Sequence, residues 1–331
     1  MLRLVQQKTF WYAVAGLGLL IALFAVTRLF LPPVVMPAVS IAPEGVLHLG
    51  GFAITNTLLA SWITMLVLIV VSFLATRRME LVPRSRLQNL YEMIIEGFYK
   101  MVEDVVGPEW ARTFFPIVMT IFLFIVTSNW LGLTPLYGGF GVLEHPHQGE
   151  PGYQVRWIGS VGILTGELAA KTAEAAGGEA GLGTASHASG GSSSGYILAP
   201  LFRSAATDLN TTIGLALVSV ILTQYFGLKA WGFQYLRRFF AFRPNFLGII
   251  EAFVGLLELV SEFAKIISFS FRLFGNIFAG EVLLGVMAFL IPYVVSLPFY
   301  GLELFVGLIQ ALIFMMLTVA FFKVAVSGAE H

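Results

Sequence analysis

Six polar residues, Glu258, Ser261, Lys265, Ser268, Arg272 and Asn276, follow one another at steps of three, four, three, four and four through a strongly apolar stretch of the chain. On a helix turning about 100° per residue, that spacing gathers them into one narrow stripe. An ionised group near a bilayer centre costs from about 2.5 kcal/mol on insertion scales to over 10 kcal/mol in simulations, so a stripe of this kind marks an ion path or a set of helix-locking ion pairs. In the structural version Glu258 pairs with Lys265 and Arg272. In the functional version the stripe lines an aqueous or ion-conducting route. Arginine stays charged because its pKa lies above about 12, so Arg272 cannot relay protons by losing its own, but it can repel a cation and attract a carboxylate. Glu281 lies nine residues beyond Arg272, about half a turn around the same helix, and faces a different neighbour. Glu303 and Gln310, seven apart, share a face of the last apolar segment. If Glu281 and Glu303 meet, the two carboxylates favour holding a proton between them. That arrangement serves either proton relay or a shared-proton structural pair.

The elements that position these residues are membrane helices. Hydrophobic residues make up 57% of the 331 and charged ones 11%, against about a quarter charged in a soluble domain. Several apolar runs approach or exceed the roughly 18–20 residues that cross about 30 Å of hydrocarbon. Zero net charge argues against a nucleic-acid partner. The absence of cysteine excludes disulfides, thiolate metal sites and cysteine nucleophiles. His145 and His147 of "EHPH" have no third ligand nearby and read as plain loop residues, so neither metal nor cofactor is expected.

The expected fold is an all-α polytopic membrane protein with about six crossings, including a long tilted helix pair, and one amphipathic surface helix. The run from Phe10 to about Thr27 reads as an anchor, with a signal peptide as the alternative, and a second helix runs from about Ile54 to Thr76, ending in the basic "TRRMELVPRSR". Leu87, Leu90, Ile94, Phe98, Met101 and Val105 then recur at helical spacing among Glu92, Glu96, Lys100, Glu103 and Asp104, which lays this segment on the membrane surface. Phe114–Thr134, Asn210–Leu228, Asn245 to about Leu290 and Gly301–Val324 complete the crossings. Arg77, Arg78, Arg84 and Arg86, and then Arg237, Arg238 and Arg243, put two basic loops on one side, which the positive-inside rule makes cytoplasmic together with the C-terminus. The chain divides into 1–50 (anchor and external loop), 51–135 (second and third membrane helices with the surface helix), 136–205 (a Gly/Ala/Ser-rich external loop) and 206–331 (the ion-translocating helices).

The blocks "TNTLLASW", "LVPRSRLQNLYEMIIEGFY", "SNWLGLTPL", "TDLNTTIGLAL", "FRLFGNIFAGE" and "LIQALIFMMLT" occur in this order. Together they resemble subunit a of bacterial F-type ATP synthases, the membrane stator facing the ring of c subunits. The resemblance runs from about Thr55 to the C-terminus, interrupted by the glycine-rich loop. It implies that Arg272 is the essential arginine that meets the lipid-buried carboxylate of each passing c subunit. Glu258, Lys265, Ser268 and Asn276 become polar positions of the same long helix, Gln310 the glutamine opposite the arginine, and Glu281 and Glu303 the pair in the half-channel open to the outside. Asp208 and Asn210 match polar positions of the preceding helix, where simple helix capping is the alternative. The chain departs from the family pattern in carrying glutamate at both 281 and 303, where relatives often have a histidine at one of them, so it lacks a near-neutral titrating group there.

The resemblance implies ion coupling by protons, with sodium as the open alternative because that choice rests largely on the ring's carboxylate site, and partners comprising the c ring, peripheral-stalk b subunits, other synthase subunits and the bilayer of a bacterial plasma membrane. No GxxxxGK[ST] loop is present, so ATP chemistry belongs to partner subunits and the chain is not an enzyme by itself. A self-contained channel or transporter and a purely structural scaffold are the competing expectations.

Overall fold

The computed structural model describes Gly18 and residues 42–49, 52–77, 86–144, 152–158, 161–168, 195–239, 246–290 and 296–327. Apart from Gly18, the expected N-terminal anchor lies outside the described residues, as do His145, His147, Arg78, Arg84 and Arg243. A short antiparallel hairpin, β1 (Gly45–Leu49) and β2 (Phe52–Thr55), leads into α1 (Asn56–Thr76). Next come α2 (Arg86–Val106), α3 (Pro108–Gly132), β3 (Gly141–Glu144), β4 (Tyr153–Ile158), β5 (Val161–Leu168) and β6 (Ile197–Pro200). The chain then continues through α4 (Leu209–Trp231), α5 (Phe246–Leu290) and α6 (Leu297–Val326). Among the described residues five helices, α1, α3, α4, α5 and α6, are long and apolar enough to cross a membrane.

The helix starts follow local chemistry. Thr55 caps α1 by accepting a hydrogen bond from the Leu58 amide at 3.3 Å. Gly107, at φ 82°, turns the chain between α2 and α3, and Pro108 opens α3 where no amide donor is missed. Within the spans, hydroxyls donate back to carbonyls one turn earlier, as Ser61 does to Thr57, Thr64 to Ala60, Thr223 to Ser219 and Thr318 to Phe314. In a medium without water such local bonds keep these polar groups satisfied.

The chain forms two compact units. The larger comprises Ala42–Tyr137, Phe202–Phe278 and Leu304–His331. At its centre Phe114, Phe226 and Phe322 pack with ring centroids 4.7, 5.0 and 5.1 Å apart, and Phe114 and Phe322 are fully buried. Phe269 of α5 joins through Phe314 and Phe321 of α6 at 4.9 and 5.2 Å. The outward residues of α1, among them Leu66, Ile69 and Phe73, are 61–67% exposed. An apolar surface this extensive marks a membrane or protein contact, and the length and composition of α1 fit a membrane span.

Helix α2 packs on α3 through Phe98 against Phe122 and Tyr99 against Phe115, and Val102 is fully buried. Of the apolar face expected from the sequence, Phe98 and Val105 pack on the core, but Leu90, Ile94 and Met101 are exposed. The apolar arc is wide enough that the protein takes the side around Ile95, Phe98 and Val102 and leaves the rest outward.

The smaller unit comprises Met1–Ile41, Gly138–Leu201 and Ala279–Glu303. Here the segment read as a Gly/Ala/Ser-rich external loop contains strands. β3 pairs antiparallel with β6, β4 pairs antiparallel with β5, and a Tyr153–Tyr196 bridge joins the two ribbons. The same unit holds the last turns of α5 and the first of α6.

Candidate functional site

Helix α5 carries the polar stripe and presents two different sides. Phe269, Ser270, Leu273 and Ile277 are buried. Val260, Phe263, Ile267 and Phe271 lie 56–62% exposed and form an open apolar face. Ser261, Ser268, Arg272 and Asn276 are also exposed. The Arg272 guanidinium donates to the Ser268 hydroxyl one turn back, at 3.5 Å. Among the described residues its hydrogen bond goes to this hydroxyl and to no carboxylate. A permanent charge beside an apolar, lipid-compatible face is costly unless a partner brings the counter-charge.

Lys265, half-buried, is held instead by Glu262, three residues earlier, with Nζ 2.5 Å from Oε1. Its ammonium also lies over the Phe321 ring of α6, 4.7 Å from the centroid. Glu262 is absent from the sequence-derived set although it lies four residues after Glu258 and three before Lys265. Its signal was local: a carboxylate three residues before a lysine on a helix. The second oxygen of Glu262 is buried and has no hydrogen-bond partner among the described residues. Glu258 is half-buried one turn earlier.

Glu303, near the start of α6, is 8% exposed. Its carboxylate lies directly against Gly280 of α5, in the space that any side chain at 280 would fill. Glu281, the next residue, is exposed. Glu303 thus sits against the residue that precedes Glu281, a glycine that the sequence reading did not single out. Gln310 is half-buried on α6 and makes no hydrogen bond to Arg272. Between Glu303 and Gln310, α3 grips α6. The Asn129 amide donates to the Gly307 carbonyl at 3.3 Å, and the Trp130 indole donates to the Leu304 carbonyl at 3.1 Å.

Asp208 is the N-cap of α4, accepting from the Asn210 amide at 2.9 Å. Its other oxygen accepts from the Thr57 hydroxyl of α1 at 2.9 Å, and Asp208, Thr57 and the adjoining Asn56 are all buried. The capping alternative for Asp208 is thus realised, with a tertiary bond added. The Asn210 side chain is exposed. Arg203, 6% exposed, lies under the Phe278 ring at 5.7 Å, a buried cation with no counterpart in the sequence-derived set. No group of three or more potential metal ligands occurs among the described residues.

The comparisons with known proteins agree with one another. A chain named ATP synthase subunit a from Moorella thermoacetica is 27% identical over 289 residues, covering 87% of this chain and 98% of the relative. A second with the same name, from Gloeobacter violaceus, is 30% identical over 294 residues, covering 88% and 93%. The sequence model of the family described as ATP synthase A chain matches residues 58–323, a span containing Arg272, Glu281, Glu303 and Gln310. The chain therefore belongs to the ATP synthase A chain family and is a subunit a of the synthase's membrane sector.

Proposed function

We propose that this chain is the proton-conducting stator of a bacterial plasma-membrane ATP synthase, with its C-terminus in the cytoplasm. The observation that carries this reading is the exposed Arg272, on the polar stripe that borders the open apolar face of α5 and without a carboxylate of its own among the described residues. Such a face fits a partner that is apolar overall and presents a carboxylate at the same depth, as the c ring does.

In this reading two half-channels are offset across the membrane. A proton enters from outside past Glu303 and Glu281 and neutralises a ring carboxylate. The neutral carboxyl can enter lipid, where the ionised form could not. After most of a rotation it comes round to the inner route, where Glu258 and Lys265, with Ser268 and Asn276 along the helix, line the exit to the cytoplasm. Arg272 stabilises the ionised carboxylate there, which releases the proton, and its fixed charge keeps protons from leaking directly between the routes. Gln310 on α6 serves as the polar partner opposite the arginine. The membrane potential supplies about 2.3 kcal/mol per charge per 100 mV, so several protons are combined for each ATP made by the partner subunits. Peripheral-stalk b subunits hold the chain against the torque.

The test is ATP-driven proton pumping in inverted vesicles carrying Arg272→Ala, with assembly measured on the same membranes. Pumping should be lost while the complex stays assembled. Normal pumping would remove the role given to Arg272, and failed assembly would make the residue structural.

A further inference from the structure

The β4–β5 hairpin ends in large apolar side chains for which a water-exposed loop has no use. Trp157, Ile158 and Ile163 are 58, 60 and 49% exposed. The register pairs Arg156 with Ile163, Trp157 with Gly162 and Ile158 with Val161, so these residues cluster at the turn end of the ribbon. Side chains alternate across a strand, which puts Trp157 on one face and Arg156, Ile158 and Ile163 on the other. Gly162 keeps the Trp157 side close. A side chain there would press on Leu143, on Val155 and on the indole ring, at 2.6, 2.7 and 3.3 Å.

We propose that the end of this hairpin inserts into the interfacial layer of the bilayer, with Trp157, Ile158 and Ile163 among the upper acyl chains and Arg156 at the phosphates. Three features select lipid over a protein partner. First, the ribbon is apolar on both faces at its end, whereas a protein surface covers one side and leaves the other wet. A fluid medium surrounds both. Second, tryptophan with an adjacent cation is the pairing that headgroup and acyl layers favour together, because the indole sits at the boundary and the guanidinium meets phosphate. Third, the hairpin shares its compact unit with Ala279–Glu303, the ends of two helices apolar enough to cross the membrane, so a bilayer surface belongs to that same unit. The hairpin thereby acts as a lateral brace for the segment that carries Glu281 and Glu303, beyond the stator role itself.

The chain contains no cysteine, so Trp157→Cys and Ile158→Cys each give one site for a nitroxide label. The full-length chain is labelled and reconstituted in phosphatidylcholine–phosphatidylglycerol vesicles. Relaxation by oxygen, which partitions into lipid, is then compared with relaxation by a water-soluble nickel chelate. Insertion predicts that oxygen collisions exceed nickel collisions severalfold at both positions. Nickel dominance at either position would overturn the proposal in favour of a surface or solvent loop. Low access to both reagents at both positions would also overturn it, in favour of a protein-covered hairpin. A second measurement needs no cysteine. Brominated phospholipid should quench the unsubstituted chain more than Trp157→Phe, and equal quenching of the two would refute insertion independently of label or misfolding. Neither readout depends on proton pumping, so the stator reading can fail while this one stands, and the reverse.

Discussion

Gly280 offers a direct test of the site's geometry. Its missing side chain is what admits the Glu303 carboxylate between α5 and α6, and a methyl group at 280 would occupy the carboxylate's own position. Both segments are regular helix, so neither backbone can shift without disturbing a full turn. Glu303 is only 8% exposed, so its head group has little free space to move into. Overpacking of this kind costs about 1–3 kcal/mol, a factor of about 5 to 150 in an equilibrium. We expect Gly280→Ala to displace the carboxylate and to lower ATP-driven proton pumping in inverted vesicles, with the complex still assembled. The matching prediction is compensation: Glu303→Asp shortens the side chain by one methylene, and Gly280→Ala/Glu303→Asp should pump better than Gly280→Ala alone. Such non-additivity is the signature of two residues competing for one volume. Full pumping by Gly280→Ala would refute the reasoning, and so would a double variant no better than the single one.

Two further predictions rest on the same helices. Glu262→Gln removes the charged partner of a half-buried Lys265, and hydrogen bonds to charged groups carry about 1.5–3 kcal/mol. The assembled complex should lose thermal stability in detergent, and an unchanged melting profile would show that the Phe321 ring and solvent suffice for Lys265. Phe322→Ala empties the fully buried junction of three phenylalanine rings, where such truncations cost about 3–5 kcal/mol. The extracted chain should aggregate at a distinctly lower temperature, and wild-type resistance to heat would mean that neighbouring helices close the cavity.

Much of the architecture was legible in the sequence because the bilayer imposes a simple rule: long apolar runs must be helices, since no other open structure satisfies its backbone there. Hence α1, α3, α4, α5 and α6 match the expected crossings within a few residues at most ends. The stripe from Glu258 to Asn276 was equally legible, because helical periodicity depends only on spacing. So was the family, through motifs within residues 58–323.

Other features needed the folded chain. The strands within 136–205 escaped the composition argument because runs of glycine, alanine and serine carry no strong period, and the ribbons are only four to eight residues long. Which side of α2 is buried depended on the partner surface offered by Phe115 and Phe122, not on α2 alone. Spacing could name Lys265 but not rank Glu262 over Glu258 as its partner, a choice made by side-chain reach one turn along α5. The sequence by itself determined the lipid-adapted helices, the polar stripe and the family, because these follow from local periodicity and apolar length. Only the tertiary structure seated Glu303 on Gly280, bonded Asp208 to Thr57 and left Arg272 on an open face, because each depends on contacts between segments far apart in the chain.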